Sequence, residues 1–169
     1  MLDNLEKQFI QVGDVQLHVV MAGNPDGEPI ILLHGFPEFW YGWRNQIPYL
    51  VEKGYRVIIP DQRGYNLSDK PKGVSHYKLD TLAQDVVTLA DVLGYEKINL
   101  VGHDWGAVVA WWVATLFPDR LSKLGILNVP YPTVMFEQWG KGNISQWLKS
   151  WYVGFFQLPF IPETLFSLG

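Results

Sequence analysis

Gly102-His103-Asp104-Trp105-Gly106 sets an acidic side chain between two glycines, directly after the apolar run Ile98-Asn99-Leu100-Val101 and directly before a helical pattern from Trp105 to Phe117. Strand, sharp turn and helix in that order are the context in which a G-x-S-x-G turn lifts a nucleophile out of the chain, here with Asp in place of Ser. The glycines suit a turn whose backbone passes so close to its neighbours that a Cβ would clash. At the start of a helix, the positive end of the dipole and the free N–H groups favour the ionised carboxylate. A carboxylate needs no base for its first attack and suits displacement at a saturated carbon, which leaves an alkyl ester on Asp104. Water must then attack that ester, so the second step requires a general base and an oxyanion hole. The backbone N–H groups of Trp105 and of Phe36, in the loop after the third strand, are the two expected donors. The competing reading makes Asp104 only a turn or helix N-cap residue, but capping explains neither the two glycines nor the strand before them. His34 and His103 sit at strand exits, where an imidazole can satisfy loop carbonyls, and neither is taken as the base.

The elements that must position these residues are legible as an alternation of short β-branched runs with longer helical patterns, the rhythm of an α/β fold with a mostly parallel sheet. Gln8 to Val12 and Val15 to Met21, joined at Gly13-Asp14, read as an antiparallel hairpin. Ile30-Ile31-Leu32-Leu33, Arg56-Val57-Ile58-Ile59 and Ile98 to Val101 read as strands buried on both faces, and Leu121 to Leu127 as a last strand. Helices are expected over Trp40 to Glu52, over Leu79 to Leu93 with Gly94 as its stop, and over Trp105 to Phe117 before Pro118. Ligands bind beyond the C-terminal ends of strands in open α/β sheets. Chemistry is therefore expected at His34-Gly35-Phe36-Pro37, at Asp61-Gln62-Arg63-Gly64 and at the turn around Asp104.

Composition narrows the rest. The 169 residues carry thirteen Lys and Arg against seventeen Asp and Glu, a net charge of -4 that offers no footprint for nucleic acid. There is no cysteine, no H-E-x-x-H and no G-x-G-x-x-G after a strand, so neither a metal nor an organic cofactor is expected. The start Met1-Leu2-Asp3-Asn4-Leu5-Glu6 has no signal-peptide pattern, and no uncharged apolar run reaches the roughly 18 residues of a membrane span. The expectation is a cytoplasmic protein. From Phe136 onward, nine aromatic residues stand among only four charges, Glu137, Lys141, Lys149 and Glu163, which requires that this segment be buried against something.

Taken together, His34-Gly35-Phe36-Pro37, Asp61-Gln62-Arg63-Gly64-Tyr65 with Ser68-Asp69-Lys70-Pro71, Gly102 to Gly106, and Leu127-Asn128-Val129-Pro130 resemble the α/β-hydrolase superfamily, and within it the epoxide hydrolases. The resemblance covers nearly the whole chain in the family's order. It implies an α/β-hydrolase fold whose core begins in residues 1–130, with the start of a helical cap in residues 131–169. It implies that epoxides are opened to diols through an ester on Asp104. Tyr152-Val153-Gly154-Phe155-Phe156-Gln157 with Pro159 resembles the lid segment that carries a proton-donating tyrosine, which assigns that role to Tyr152. The implied substrate is small and apolar, lined by Phe36, Phe39, Trp40 and Trp105; Trp40 reads equally as a core residue of its helix.

One part of the family pattern is missing. The triad of this architecture runs nucleophile, acid, histidine along the chain, yet His18, His34, His76 and His103 all precede Asp104. The sequence accordingly reads as an N-terminal portion without its base, incompetent for turnover alone, with an open sheet edge available to a missing C-terminal half or to self-association. The alternatives weighed are a haloalkane dehalogenase, disfavoured because Phe36 offers only its backbone to a departing halide, and a non-catalytic binding protein that keeps the pocket. A truncated product without function is the third. A fluoroacetate dehalogenase would have Arg where Trp105 stands.

Overall fold

The computed structural model of the chain describes residues 5–131 together with 133, 134 and 137. The chain divides into two compact units, Met1–Val129 and Pro130–Gly169. In the second, the Val134 N–H bonds to the Tyr131 carbonyl at 3.0 Å. The first unit holds the sheet.

Strands β1 (Glu6–Val12) and β2 (Val15–Ala22) form the expected hairpin, with Gly13 at φ +56° in its turn. Strands β3 (Glu28–Leu33), β4 (Tyr55–Pro60), β5 (Ile98–His103) and β6 (Leu121–Leu127) complete a six-stranded sheet in the order β1-β2-β4-β3-β5-β6. β4, β3, β5 and β6 run parallel, and β2 joins β4 antiparallel. Alternation along the inner parallel strands explains why the runs of β3, β4 and β5 are mostly apolar. Ile31 and Leu33 of β3 face one core cluster, with Ile58, Leu100 and the helices α2 (Leu79–Val92) and α3 (Trp105–Leu116). Ile30 and Leu32 face the other, with Val57, Ile59 and Ile47 of helix α1 (Ile47–Glu52). β3, β4 and β5 are thus buried on both faces, as a sheet flanked by helices requires, whereas no residue of β6 is fully buried.

The strands and the two long helices fall where the sequence places them. The single helix expected over Trp40 to Glu52 does not form: Trp40–Trp43 is a 3-10 turn, and α1 starts anew at Ile47. Pro48 accounts for the break, because it has no N–H to give to residue 44 and its ring clashes with that carbonyl, whereas in the first turn of a new helix both problems vanish. Among the described residues no helix is long and apolar enough to cross a membrane.

Charge is also buried beneath the strand exits. The Arg63 side chain is 1% exposed and reaches Asp85 of α2 through Nε and Nη2, both at 2.8 Å, while Nη2 also donates to Asp14 of the hairpin turn at 2.7 Å. This fork ties hairpin, β4 exit and α2 together in the bidentate geometry that guanidinium favours. Arg63 holds the Asp14 carboxyl below its ordinary range, whereas burial pushes Asp85 up against the pull of the same arginine. Arg56 makes a similar fork with Glu6, but there the carboxylate is 45% exposed. Removing one partner of a buried pair strands the other's charge, so Asp85→Ala should lower unfolding free energy by roughly 3 kcal/mol. Glu6→Ala should cost less than about 1 kcal/mol, since water screens that pair. Urea denaturation of both variants measures the contrast; equal losses would mean that Arg63 is not the buried anchor.

Candidate active site

Asp104 has φ +51° and ψ −120°, a backbone conformation that a residue with a side chain adopts only where its surroundings enforce it. The enforcement comes from the two flanking glycines. A Cβ on Gly102 would lie 2.3 Å from the Gly106 carbonyl oxygen, and one on Gly106 would lie 2.5 Å from the oxygen of Leu33 and 2.6 Å from that of His34. Without those carbons, the first turn of α3 rests directly on the last carbonyls of β3. The opposite loop is equally close: a Cβ on Gly35 would meet the Asp104 Cβ at 2.6 Å. Asp104 stands at the N-cap position of α3, but its side chain makes no capping hydrogen bond there. Its Oδ1 instead accepts the Phe36 N–H at 3.0 Å. The carboxylate is therefore directed toward the loop after β3, and the capping alternative fails.

Trp105 opens α3, so its N–H is one of the helix's first donors, which have no intrahelical carbonyl to meet. The structure thus sets the Phe36 N–H on Asp104, with Trp105 next to it in the chain at the start of α3. Beside them lies a cleft of about 540 Å³ lined by Phe36, Phe39, Tyr65, Tyr77 and Trp105 with shorter polar stretches at Glu38, Arg63 and Asn66. Phe36 and Phe39 are exposed. Trp40, expected to line the same space, is absent from that wall; it is buried with Ile30, Leu32 and Val57, because its 3-10 turn packs inward against the sheet. Tyr152 lies outside the described residues.

The histidines are held by the scaffold. His34 is fully buried, with Nδ1 donating to the Gly35 carbonyl at 2.9 Å and Nε2 accepting the Gln62 N–H at 3.0 Å. Burial depresses its pKa despite that bond and the nearby Asp61 and Glu38. His103 Nδ1 lies 3.2 Å from Glu38 Oε2, and its Nε2 lies 2.9 Å from Asn128 Nδ2. His18 Nδ1 is 2.7 Å from Asp61, whose other oxygen accepts the Trp40 N–H at 2.9 Å. Glu38 and Tyr77 have no assignment from the sequence, and Tyr65 enters there only as the end of the Asp61 to Tyr65 motif. Tyr65 packs edge-on against His34, and burial together with the charge of Asp104 pushes its phenol up to about 12, so it stays protonated at the cleft wall. Its place in Arg63-Gly64-Tyr65, at a strand exit, was the available signal.

Residues 28–162 match the family model described as alpha/beta hydrolase fold. The chain belongs to that family. Among curated relatives of this hydrolase-fold chain, an AB hydrolase superfamily protein of Bacillus subtilis is 52% identical over 162 residues, 96% of this chain and 56% of the relative. Human epoxide hydrolase 4 is 42% identical, covering 95% of this chain and 44% of the relative. The crystal structure of an epoxide hydrolase from Vigna radiata superposes with a TM-score of 0.75 at 38% identity, over 78% of this chain and 42% of that one. The chain spans about half the length of the curated relatives it matches.

Two outcomes follow for the elbow and its floor. Gly106→Ala drives a methyl into two backbone carbonyls and should cost about 3 kcal/mol. Gly94→Ala, where a Cβ meets open space at φ +82°, should cost about 1–2 kcal/mol from the positive φ alone; denaturation midpoints rank the two. For His34, the folded pKa lies below the unfolded one, so the unfolded chain takes up the proton first. Its contribution is therefore present above pH about 6.5 and is lost as pH falls toward the folded value, at no more than about 1.4 kcal/mol per unit. Unfolding free energies between pH 7.5 and 5.5 should show this slope, and His34→Gln should flatten it.

Proposed function

We propose that this chain carries the nucleophile and oxyanion donors of an epoxide hydrolase, acting on small apolar epoxides. The observation that carries the reading is the Asp104 carboxylate, released from capping, bonded to the Phe36 N–H and set beside an aromatic cleft. The named relatives and solved structures, epoxide hydrolases among them, support the choice of electrophile.

With Oδ1 held by Phe36, the second oxygen of Asp104 attacks an epoxide carbon from the side opposite the ring oxygen. The new C–O bond forms as the old one breaks, and the ring oxygen departs as an alkoxide that must take a proton. Tyr152 is the proposed donor, by resemblance to the lid tyrosine of the family. Water then gives a proton to a general base as it attacks the carbonyl carbon of the ester, and the Phe36 and Trp105 N–H groups receive the charge that develops on its oxygen. Collapse expels the alkyl oxygen, which takes the acid proton of the regenerated Asp104 and leaves as the diol, and the proton held by the base restores the Tyr152 phenol. None of the four histidines is offered to that ester: His18 and His34 are buried in structural hydrogen bonds, His103 is held at both nitrogens, and His76 lies beside Asp14 and is not among the residues that line the cleft.

The 169-residue polypeptide incubated with phenyl glycidyl ether should therefore gain the mass of one epoxide per chain and keep it, with no more than one equivalent of diol released. Asp104→Asn should gain nothing. Sustained diol formation would show that a base is present after all, and an adduct that survives Asp104→Asn would remove Asp104 as the nucleophile.

A further inference from the structure

We infer that Glu38 is a positioning residue that holds the Phe36 N–H against Asp104 by tying together the exits of β3, β5 and β6. Its kinetic consequence rests on the proposed carboxylate attack, and its structural content does not. The turn Gly35-Phe36-Pro37-Glu38 is closed twice by its last residue. The Glu38 backbone N–H donates to the Gly35 carbonyl at 3.1 Å, and the Glu38 carboxylate accepts the Gly35 N–H through Oε2 at 3.3 Å. Phe36 sits between these two closures, with its own N–H on Asp104 Oδ1.

The same Oε2 lies 3.2 Å from Nδ1 of His103, the residue immediately before Asp104. One oxygen thus bridges the loop that carries the donor and the strand that carries the carboxylate. The far nitrogen of His103 meets the amide of Asn128, which follows β6 and stands at φ +71°. The His103 ring also packs edge-on against Trp43, which fixes the plane of the imidazole between its two partners. Gly35 has no Cβ, which lets the loop come into close contact with Asp104; the Glu38 bridge is the polar tie that spans this contact. With side-chain exposures of 41% for Glu38 and 32% for His103, the bridge acts through hydrogen-bond geometry more than through charge. A neutral acceptor of the same shape should replace it.

Amide hydrogen exchange by NMR on the full chain tests the structural content. In Glu38→Ala, protection of the Phe36 amide should fall about tenfold while the β1–β2 hairpin is unchanged, and Glu38→Gln should restore it. Asn128→Gly, which keeps the positive φ and removes only the amide, should give a smaller loss, less than additive with Glu38→Ala; it carries the test should Glu38→Ala not fold. In the kinetic arm, Glu38→Ala should slow Asp104 alkylation at saturating epoxide by up to about 10²-fold with little change in half-saturation. Unchanged Phe36 protection in folded Glu38→Ala, or in Asn128→Gly if the former does not fold, overturns the inference. Loss of protection in a chain whose Asp104 never alkylates would leave the positioning role standing and sink the proposed reaction instead.

Discussion

The approach of α3 to the end of β3 is closer than side chains allow, and the site is built on that approach. Two missing methyl groups, at Gly102 and Gly106, let a helix start on top of strand carbonyls and force the residue between them into a left-handed conformation. Strain of this kind, on the order of 1–3 kcal/mol, persists only where packing over-determines it. Here the over-determination is visible: β5 is hydrogen-bonded between β3 and β6, and α3 buries Ala107, Val109, Ala110 and Val113 against the sheet. The carboxylate is fixed by the backbone, and its side chain is left to face the Phe36 loop.

Around that point, polar groups do at the strand exits what apolar ones do in the middle of the sheet. His34 spans from the β3 exit to the β4 exit through Gln62, His18 and Asp61 join β2 to β4 and to the Trp40 turn, and Arg63 carries the β4 exit down to α2. Each satisfies backbone or charged groups that burial would otherwise penalise. This explains why a region rich in titratable side chains contains so few that are available to a substrate.

Where periodicity and turn chemistry decide the outcome, the amino-acid pattern was sufficient. The hairpin at Gly13-Asp14, all four parallel strands and the stop at Gly94 follow from local signals, as does the sharp strand-to-helix turn at Asp104. Pro48 was also a local signal, and it divided the Trp40 to Glu52 segment against the apolar pattern. What lay beyond reach were pairings across long sequence separations: Glu38 with His103, Arg63 with Asp14 and Asp85, Asp61 with His18. No spacing encodes them, because the sheet order that creates them is itself non-sequential. Trp40 shows the same limit from the other side, since an aromatic residue near a strand exit turns inward or outward according to how its short turn packs. The roles of Tyr152 and of the aromatic-rich segment lie beyond the described residues.

The Phe36 amide already points at an anionic oxygen before any substrate arrives. In the proposed reaction, which begins with a carboxylate and passes through a tetrahedral oxyanion on the same group, the negative charge returns to nearly the same place. A dipole aligned for the first state is then aligned for the second, and the medium has little rotating left to do.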